Sequence, residues 1–131
     1  MIGYVDADGA SQEHRRAILG YVFMVDGGAV SWLLKKQELV TLSTTEAEYV
    51  DATHAAKEAI WLCRLISKVF KSIETPTTLF CDSKLVIALV HNGHYHAHTK
   101  HIDIRYHFIH YIIEAGTIKL VYCPTNCYNF R

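Results

Sequence analysis

Asp6, Glu48 and Asp82 are the residues of this chain best placed to do chemistry, because each carboxylate falls where an apolar pattern would otherwise continue. Asp6 follows the apolar start Met1–Val5, and Asp82 closes Thr78-Leu79-Phe80-Cys81. At about 100° per residue, Ala52, Ala55, Ala59, Cys63, Ile66 and Phe70 share one helix face, with Glu48 in its middle and Glu46 pointing elsewhere. An unpaired buried carboxylate costs several kcal/mol or protonates, so three of them at the ends of core elements point to a shared cation. Hard oxygen ligands suit Mg²⁺ or Mn²⁺, and two such ions roughly 3.5–4 Å apart can activate a water and stabilise the leaving oxygen of a phosphodiester. A plainer reading stands beside this one. Asp6 is then a turn residue next to Asp8, Asp82-Ser83 a helix N-cap, and Glu48 a carboxylate offsetting a helix dipole. Taken together, these three readings leave the placement of Glu48 unexplained.

The elements that must position these groups are set by period and punctuation. Met1–Val5 reads as a strand, and Ala17–Val25 with Ala29–Leu34 as a hairpin turned by Asp26-Gly27-Gly28. Ser43-Thr44-Thr45-Glu46 matches a capping box, and the helix it opens runs to about Lys71. Thr77–Cys81 is a short strand, Lys84–His91 a helix ended by Asn92-Gly93, His101–Glu114 a second amphipathic helix stopped by Gly116, and Thr117–Tyr122 the last strand. Three antiparallel strands and then two helix-linked parallel ones predict an α/β fold with a mixed five-stranded sheet flanked by helices. If the strands carrying Asp6 and Asp82 are parallel neighbours, both acids emerge at one end of the sheet, facing Glu48.

A chain of 131 residues with 50% hydrophobic residues is expected to form a single domain over 1–131. No apolar run reaches the 18 or so residues that span a bilayer, and no basic stretch precedes an apolar one at the N-terminus, so an intracellular rather than secreted protein is expected. Cys63, Cys81, Cys123 and Cys127 are few and two lie inside apolar elements, which fits reduced thiols. Thirteen basic residues balance thirteen acidic ones, so any affinity for nucleic acid must come from a local patch, a metal or a neighbouring domain.

Tyr4-Val5-Asp6-Ala7-Asp8, Gly20-Tyr21-Val22-Phe23-Met24, Gly28-Ala29-Val30-Ser31-Trp32 and Lys35-Lys36-Gln37 resemble the ribonuclease H domain of copia-type LTR retrotransposon Pol polyproteins. The resemblance continues in order through Leu42-Ser43-Thr44-Thr45-Glu46-Ala47-Glu48-Tyr49, Ala55-Ala56-Lys57-Glu58-Ala59-Ile60-Trp61, Cys81-Asp82-Ser83 and the run His98 to Ile109. It implies an RNase H-like fold, two divalent ions (Mg²⁺ or Mn²⁺), and endonucleolytic hydrolysis of the RNA strand of RNA–DNA hybrids during reverse transcription, beside a reverse transcriptase domain. The family's first three metal-binding carboxylates carry over to Asp6, Glu48 and Asp82. An intracellular particle or the nucleus is the location it implies.

The resemblance stops after Cys123-Pro124-Thr125, where the family continues into a helix with a further acidic ligand. Here Asn126 to Arg131 come next, and no acid occurs after Glu114. The expectation is a domain short of its C-terminal helix, a weakened second metal site and an apolar sheet surface left uncovered. An inactive relic that binds nucleic acid or supports a reverse transcriptase is the alternative. For nucleic-acid contacts, Lys100 and His101 are the first choices, with Lys35 and Lys36 as a second basic pair. His91, His94, His96 and His98 read as a solvated loop or backbone contacts rather than a zinc site, and Cys123 and Cys127 lack a second ligand pair. Trp32 and Trp61 sit in apolar patterns and read as core, and Arg15-Arg16 as a solvated turn.

Overall fold

The computed structural model describes residues 1–8, 18–36, 44–70, 76–92, 100–124 and 126. The strands are β1 (Ile2–Asp8), β2 (Ile18–Val25), β3 (Gly28–Lys36), β4 (Thr77–Cys81) and β5 (Ile118–Tyr122). The helices are α1 (Thr44–Phe70), α2 (Lys84–Asn92) and α3 (Lys100–Glu114). They build one five-stranded sheet in the order β3-β2-β1-β4-β5, with β1, β2 and β3 antiparallel and β1, β4 and β5 parallel. This is the mixed sheet expected from the sequence.

The turn chemistry accounts for the joints. Val25 pairs with Gly28 across the two-residue turn Asp26-Gly27, whose φ values of 50° and 79° are those a tight antiparallel hairpin needs. Helix α3 ends on Gly116 at φ 73°, where the Gly116 and Thr117 N–H groups donate to the Ile113 and Ile112 carbonyls. The carbonyl of Thr117 then accepts the Thr77 N–H at 3.2 Å, so the helix stop also starts the β4–β5 pairing.

Alternation along the strands separates two faces. Val5, Phe23, Leu79, Cys81, Ile118 and Leu120 point to the helices and form the core with Ala52, Ala55, Ala59 and Leu62 of α1 and Tyr106, Ile109 and Ile112 of α3. The residues of opposite parity are more open: Trp32 is 71% and Leu34 79% exposed, beside Ile2 and Ile18. Trp32 therefore is not core, because its strand position places it on the face away from the helices. Trp61 is likewise exposed, at 56%, and Phe70 at the end of the predicted stripe is exposed too. Trp61 lies on the side of α1 turned from the buried Ala52, Ala55 and Ala59, whereas for Phe70 the reason is length, since 27 residues of α1 run about 40 Å while five- to nine-residue strands run roughly 17–30 Å. The last turns of α1 overhang the sheet.

Some expectations lie outside the described residues: the capping serine Ser43, Arg15 and Arg16, the histidines 94, 96 and 98, Cys127, and the segment past Asn126. Cys63, Cys81 and Cys123 are free thiols.

Gly3 lies on the helix-facing side of β1, where a Cβ would collide with the Phe23 ring and meet Leu79 Cδ1 at 2.8 Å. A Gly3→Ala variant is expected to lose about 1–3 kcal/mol of stability to overpacking, read as a lower urea midpoint at unchanged slope. An unchanged midpoint would contradict this seating of β1 against β4.

Candidate active site

The parallel pairing of β1 with β4 brings two of the predicted acids together. Ile2, Gly3, Tyr4 and Val5 pair with Thr78, Leu79, Phe80 and Cys81, so Asp6 and Asp82 each come directly after the last matched pair, Val5 and Cys81. Adjacent strands lie about 4.8 Å apart, which makes these neighbouring positions at one end of the sheet. Asp6 is not at a strand end, however. Strand β1 continues to Asp8 because β2 pairs with it that far, Asp6 opposite Gly20 and Asp8 opposite Ile18. That removes the turn reading of Asp6, and because Gly20 has no side chain, none crowds the aspartate from across the strand. Asp6 is exposed, and Asp82 is half-buried.

Glu48 reaches the same end from α1. The hydroxyl of Ser83 donates to Glu48 Oε2 at 2.5 Å and accepts the Val86 N–H at 3.2 Å, while the Ser83 carbonyl accepts the Ile87 N–H at 3.3 Å. Ser83 is thus the N-cap of α2 and the partner of Glu48 at once. The cap belongs to Ser83 rather than to Asp82, and Glu48 has a specific partner beyond any dipole effect. Glu48 is half-buried, so the picture of three acids sunk in the core is corrected: they line its rim.

The fully buried acid is one that the sequence reading missed, Asp51, with 0% exposure. Ala47, Tyr49, Val50, Asp51, Ala52 and Thr53 are all buried, so this stretch of α1 is enclosed on every side and has no polar face from which periodicity could exclude an acid. Asp51, Glu48 and Asp82 gather around Cys81. Burial pushes the Cys81 thiol up to about 12, the Ser83 N–H pulls it down, and Asp82, Glu48 and Asp51 add to the rise. Cys81 accordingly stays a neutral thiol.

Among the described residues no three His, Cys, Asp or Glu side chains converge into a metal cage. What the geometry provides is a rim of hard oxygen donors: Asp6 and Asp82 on adjacent strands, with Glu48 tied to the residue after Asp82. Of the predicted nucleic-acid contacts, Lys35 and Lys36 are exposed at the end of β3, paired with Leu19 and Ile18 of β2. Lys100 and His101 open α3, and their side chains lie outside the described set.

A mixed sheet of this order, with α1 crossing between β3 and β4 and aspartates following the matched pairs of its central parallel strands, defines an RNase H-like fold. The solved structure of LC11-RNase H1 in complex with RNA/DNA hybrid superposes with a TM-score of 0.67 at 17% identity, covering 98% of this chain and 88% of that one. Prototype foamy virus protease-reverse transcriptase superposes at 0.64 and 18% identity, over 99% of this chain and 18% of its own. No protein-family model matches the chain. In sequence, the chain is 44% identical over 125 residues to the retrovirus-related Pol polyprotein from transposon TNT 1-94 of Nicotiana tabacum, which covers 95% of this chain. The chain has an RNase H-like fold and is similar in sequence to retrovirus-related Pol polyproteins, and it spans 9% of the length of that tobacco relative.

This geometry is testable at Ser83 and at Cys81. Ser83→Ala removes a cap and the Glu48 partner together, and a loss of about 1–2 kcal/mol in urea unfolding is expected, with Ser83→Thr retaining most of it. Equal stability of the alanine variant would disprove the double role. Cys81 should resist thiol reagents at pH 8 in the folded protein and react once denatured, as mapped by peptide mass. Because its pKa is higher folded than unfolded, the folded state holds the extra proton between about pH 9 and 12, and the stability this thiol contributes falls as pH rises through that window.

Proposed function

We propose that this domain hydrolyses the RNA strand of RNA–DNA hybrids endonucleolytically, using divalent metal, as the RNase H part of a copia-type retrotransposon polyprotein during reverse transcription. The observation that carries the reading is the β1–β4 parallel pairing, which sets Asp6 and Asp82 side by side with Glu48 held next to them through Ser83. Asp6, Glu48 and Asp82 would hold Mg²⁺ or Mn²⁺. Their chemistry fits, because every donor is a hard oxygen, the nearby Cys81 stays protonated, and carboxylates gathered at one place favour a cation among them. Such an ion keeps several waters, so two or three protein carboxylates are a sufficient anchor. When bound, it supplies charge that lowers the pKa of a water and neutralises a departing 3′ oxygen.

The chain's own groups set the geometry: the sheet fixes Asp6 and Asp82, and the Ser83 hydroxyl orients Glu48. Lys35, Lys36, Lys100 and His101 are assigned to the hybrid's phosphates, whose A-like shape and 2′-hydroxyls a protein reads with little base contact. The hybrid bound to LC11-RNase H1 and the reverse transcriptase linked to the foamy virus neighbour support the same substrate and the same partner domain. A reducing intracellular location, a cytoplasmic particle or the nucleus, accords with three free cysteines.

A second reading is favoured by one observation: Asp6 is exposed and Glu48 is already tied to Ser83, so the acids line an open rim rather than a closed cage. In it the domain keeps the fold without turnover and serves as a nucleic-acid-binding or reverse-transcriptase-associated module. Cleavage of an end-labelled RNA–DNA hybrid, first in Mg²⁺ and then in Mn²⁺, separates the two. Internal cuts in the RNA that fall to background in both Asp6→Asn and Asp82→Asn are expected. Cutting retained by the variants would sink the site assignment, and no cutting by the unaltered chain with either ion would establish the second reading.

A further inference from the structure

The second half of α1 carries a cationic and aromatic stripe that neither the sheet nor the carboxylate rim uses. Lys57, Trp61, Arg64 and Lys68 recur at steps of four, three and four residues, so they share one side of the helix, and all four are exposed. From Lys57 to Lys68 the stripe extends about 16 Å. The single acid between residues 54 and 70, Glu58, turns toward the sheet, where its Oε1 accepts the Ser31 hydroxyl at 2.7 Å. Nothing negative in this stretch therefore offsets the three cations. Lys57 stands 5.8 Å from the centre of the Phe108 ring of α3, which holds that cation beside a second aromatic surface. Trp61 lies thirteen residues beyond Glu48, about 20 Å along the axis and roughly 140° around it, so the stripe faces away from the carboxylates.

We propose that this stripe binds single-stranded nucleic acid, with Lys57, Arg64 and Lys68 on the phosphates and Trp61 stacked on an unpaired base. The chemistry selects that partner. An indole standing in water between cations has both an open π-face and a local positive field, the two components that capture a flexible polynucleotide without reading its sequence. A duplex would meet the cations but keep its bases stacked inside, and an acidic peptide would meet the cations and leave the indole face unmatched. The inference does not rest on the cleavage reading, because the stripe and the carboxylate rim share no residue.

The test uses the full chain with Trp32→Phe, which leaves Trp61 as the only tryptophan, in EDTA. Titration with a thymidine oligodeoxynucleotide of about twenty residues should quench Trp61 emission. The log of affinity should fall with the log of salt at a slope of about −2, as three phosphate contacts to a single strand predict. The pair Arg64→Glu and Lys68→Glu should weaken binding at least about tenfold at unchanged circular dichroism. Trp61→Ala, tracked by anisotropy of a labelled oligonucleotide, should cost roughly tenfold. Asp82→Asn should bind as the parent does, so loss of cleavage and loss of stripe binding are separately readable. Absence of quenching, or undiminished affinity after charge reversal, overturns the proposal; polyglutamate binding as tightly as the oligonucleotide also overturns it and assigns the stripe to an acidic protein partner.

Discussion

The parallel pairing of β1 with β4 is the contact on which the other features depend. The antiparallel half of the sheet can be assembled from neighbours in sequence, with the β2–β3 hairpin closed by Asp26-Gly27. Residues Ile2–Val5 and Thr78–Cys81, by contrast, come from opposite ends of a long crossover and meet only if α1 lays its alanine-rich face across the sheet between them. Small side chains at Ala52, Ala55 and Ala59 let the helix approach closely, and Gly3 leaves the Phe23 ring the space it occupies. A slip of one residue would reverse every side chain of β4 relative to the core and separate Asp82 from Asp6. Core packing and site geometry are therefore one constraint: the register that buries Val5 and Leu79 is the register that aligns the two aspartates.

Ser83 extends that constraint to Glu48. A helix N-terminus leaves backbone N–H groups without intrahelical partners, and the Ser83 oxygen satisfies one of them at Val86. The proton on the same oxygen is then directed to Glu48, so a local need of α2 orients a carboxylate on α1. Charge collects around this point. Burial is the main reason the Cys81 thiol is pushed up, and Asp82, Glu48 and Asp51, all near the C-terminal end of β4, add to the rise. Such crowding opposes folding unless a cation or hydrogen-bond donors offset it, and the donors are what this region supplies from its own chain.

The order of elements and the topology were legible in the sequence because each rests on local signals: alternation in the strands, Asp-Gly at the hairpin, Gly116 after α3, and a 3.6-residue stripe through Ala52, Ala55 and Ala59. Asp6, Glu48 and Asp82 were legible as interruptions of those patterns. Other features depend on contacts between distant segments and left no local trace. Asp51 is buried because the start of α1 is enclosed on all sides, where periodicity carries no information. Trp32 and Trp61 belong to apolar patterns yet stand in solvent, Trp32 because it is on the sheet face away from the helices and Trp61 because α1 turns that side outward. The union of Ser83 with Glu48 joins residues 35 apart in sequence and could be found only in three dimensions.

Zero net charge hides a marked separation of charge. Lysines and arginines equal aspartates and glutamates in number, yet Glu48, Asp51 and Asp82 gather around the end of β4 while the second half of α1 presents Lys57, Arg64 and Lys68 with Glu58 turned away. A polyanion approaching such a molecule at physiological salt responds to charges within a screening length of roughly 8 Å, not to the total. The two ends of α1 are farther apart than that, since 27 residues rise about 40 Å. Each therefore acts as an independent field, negative around the end of β4 and positive along the second half of α1. A single long helix carries both, its mostly buried start beside the acids and its exposed outer side further along bearing the cations.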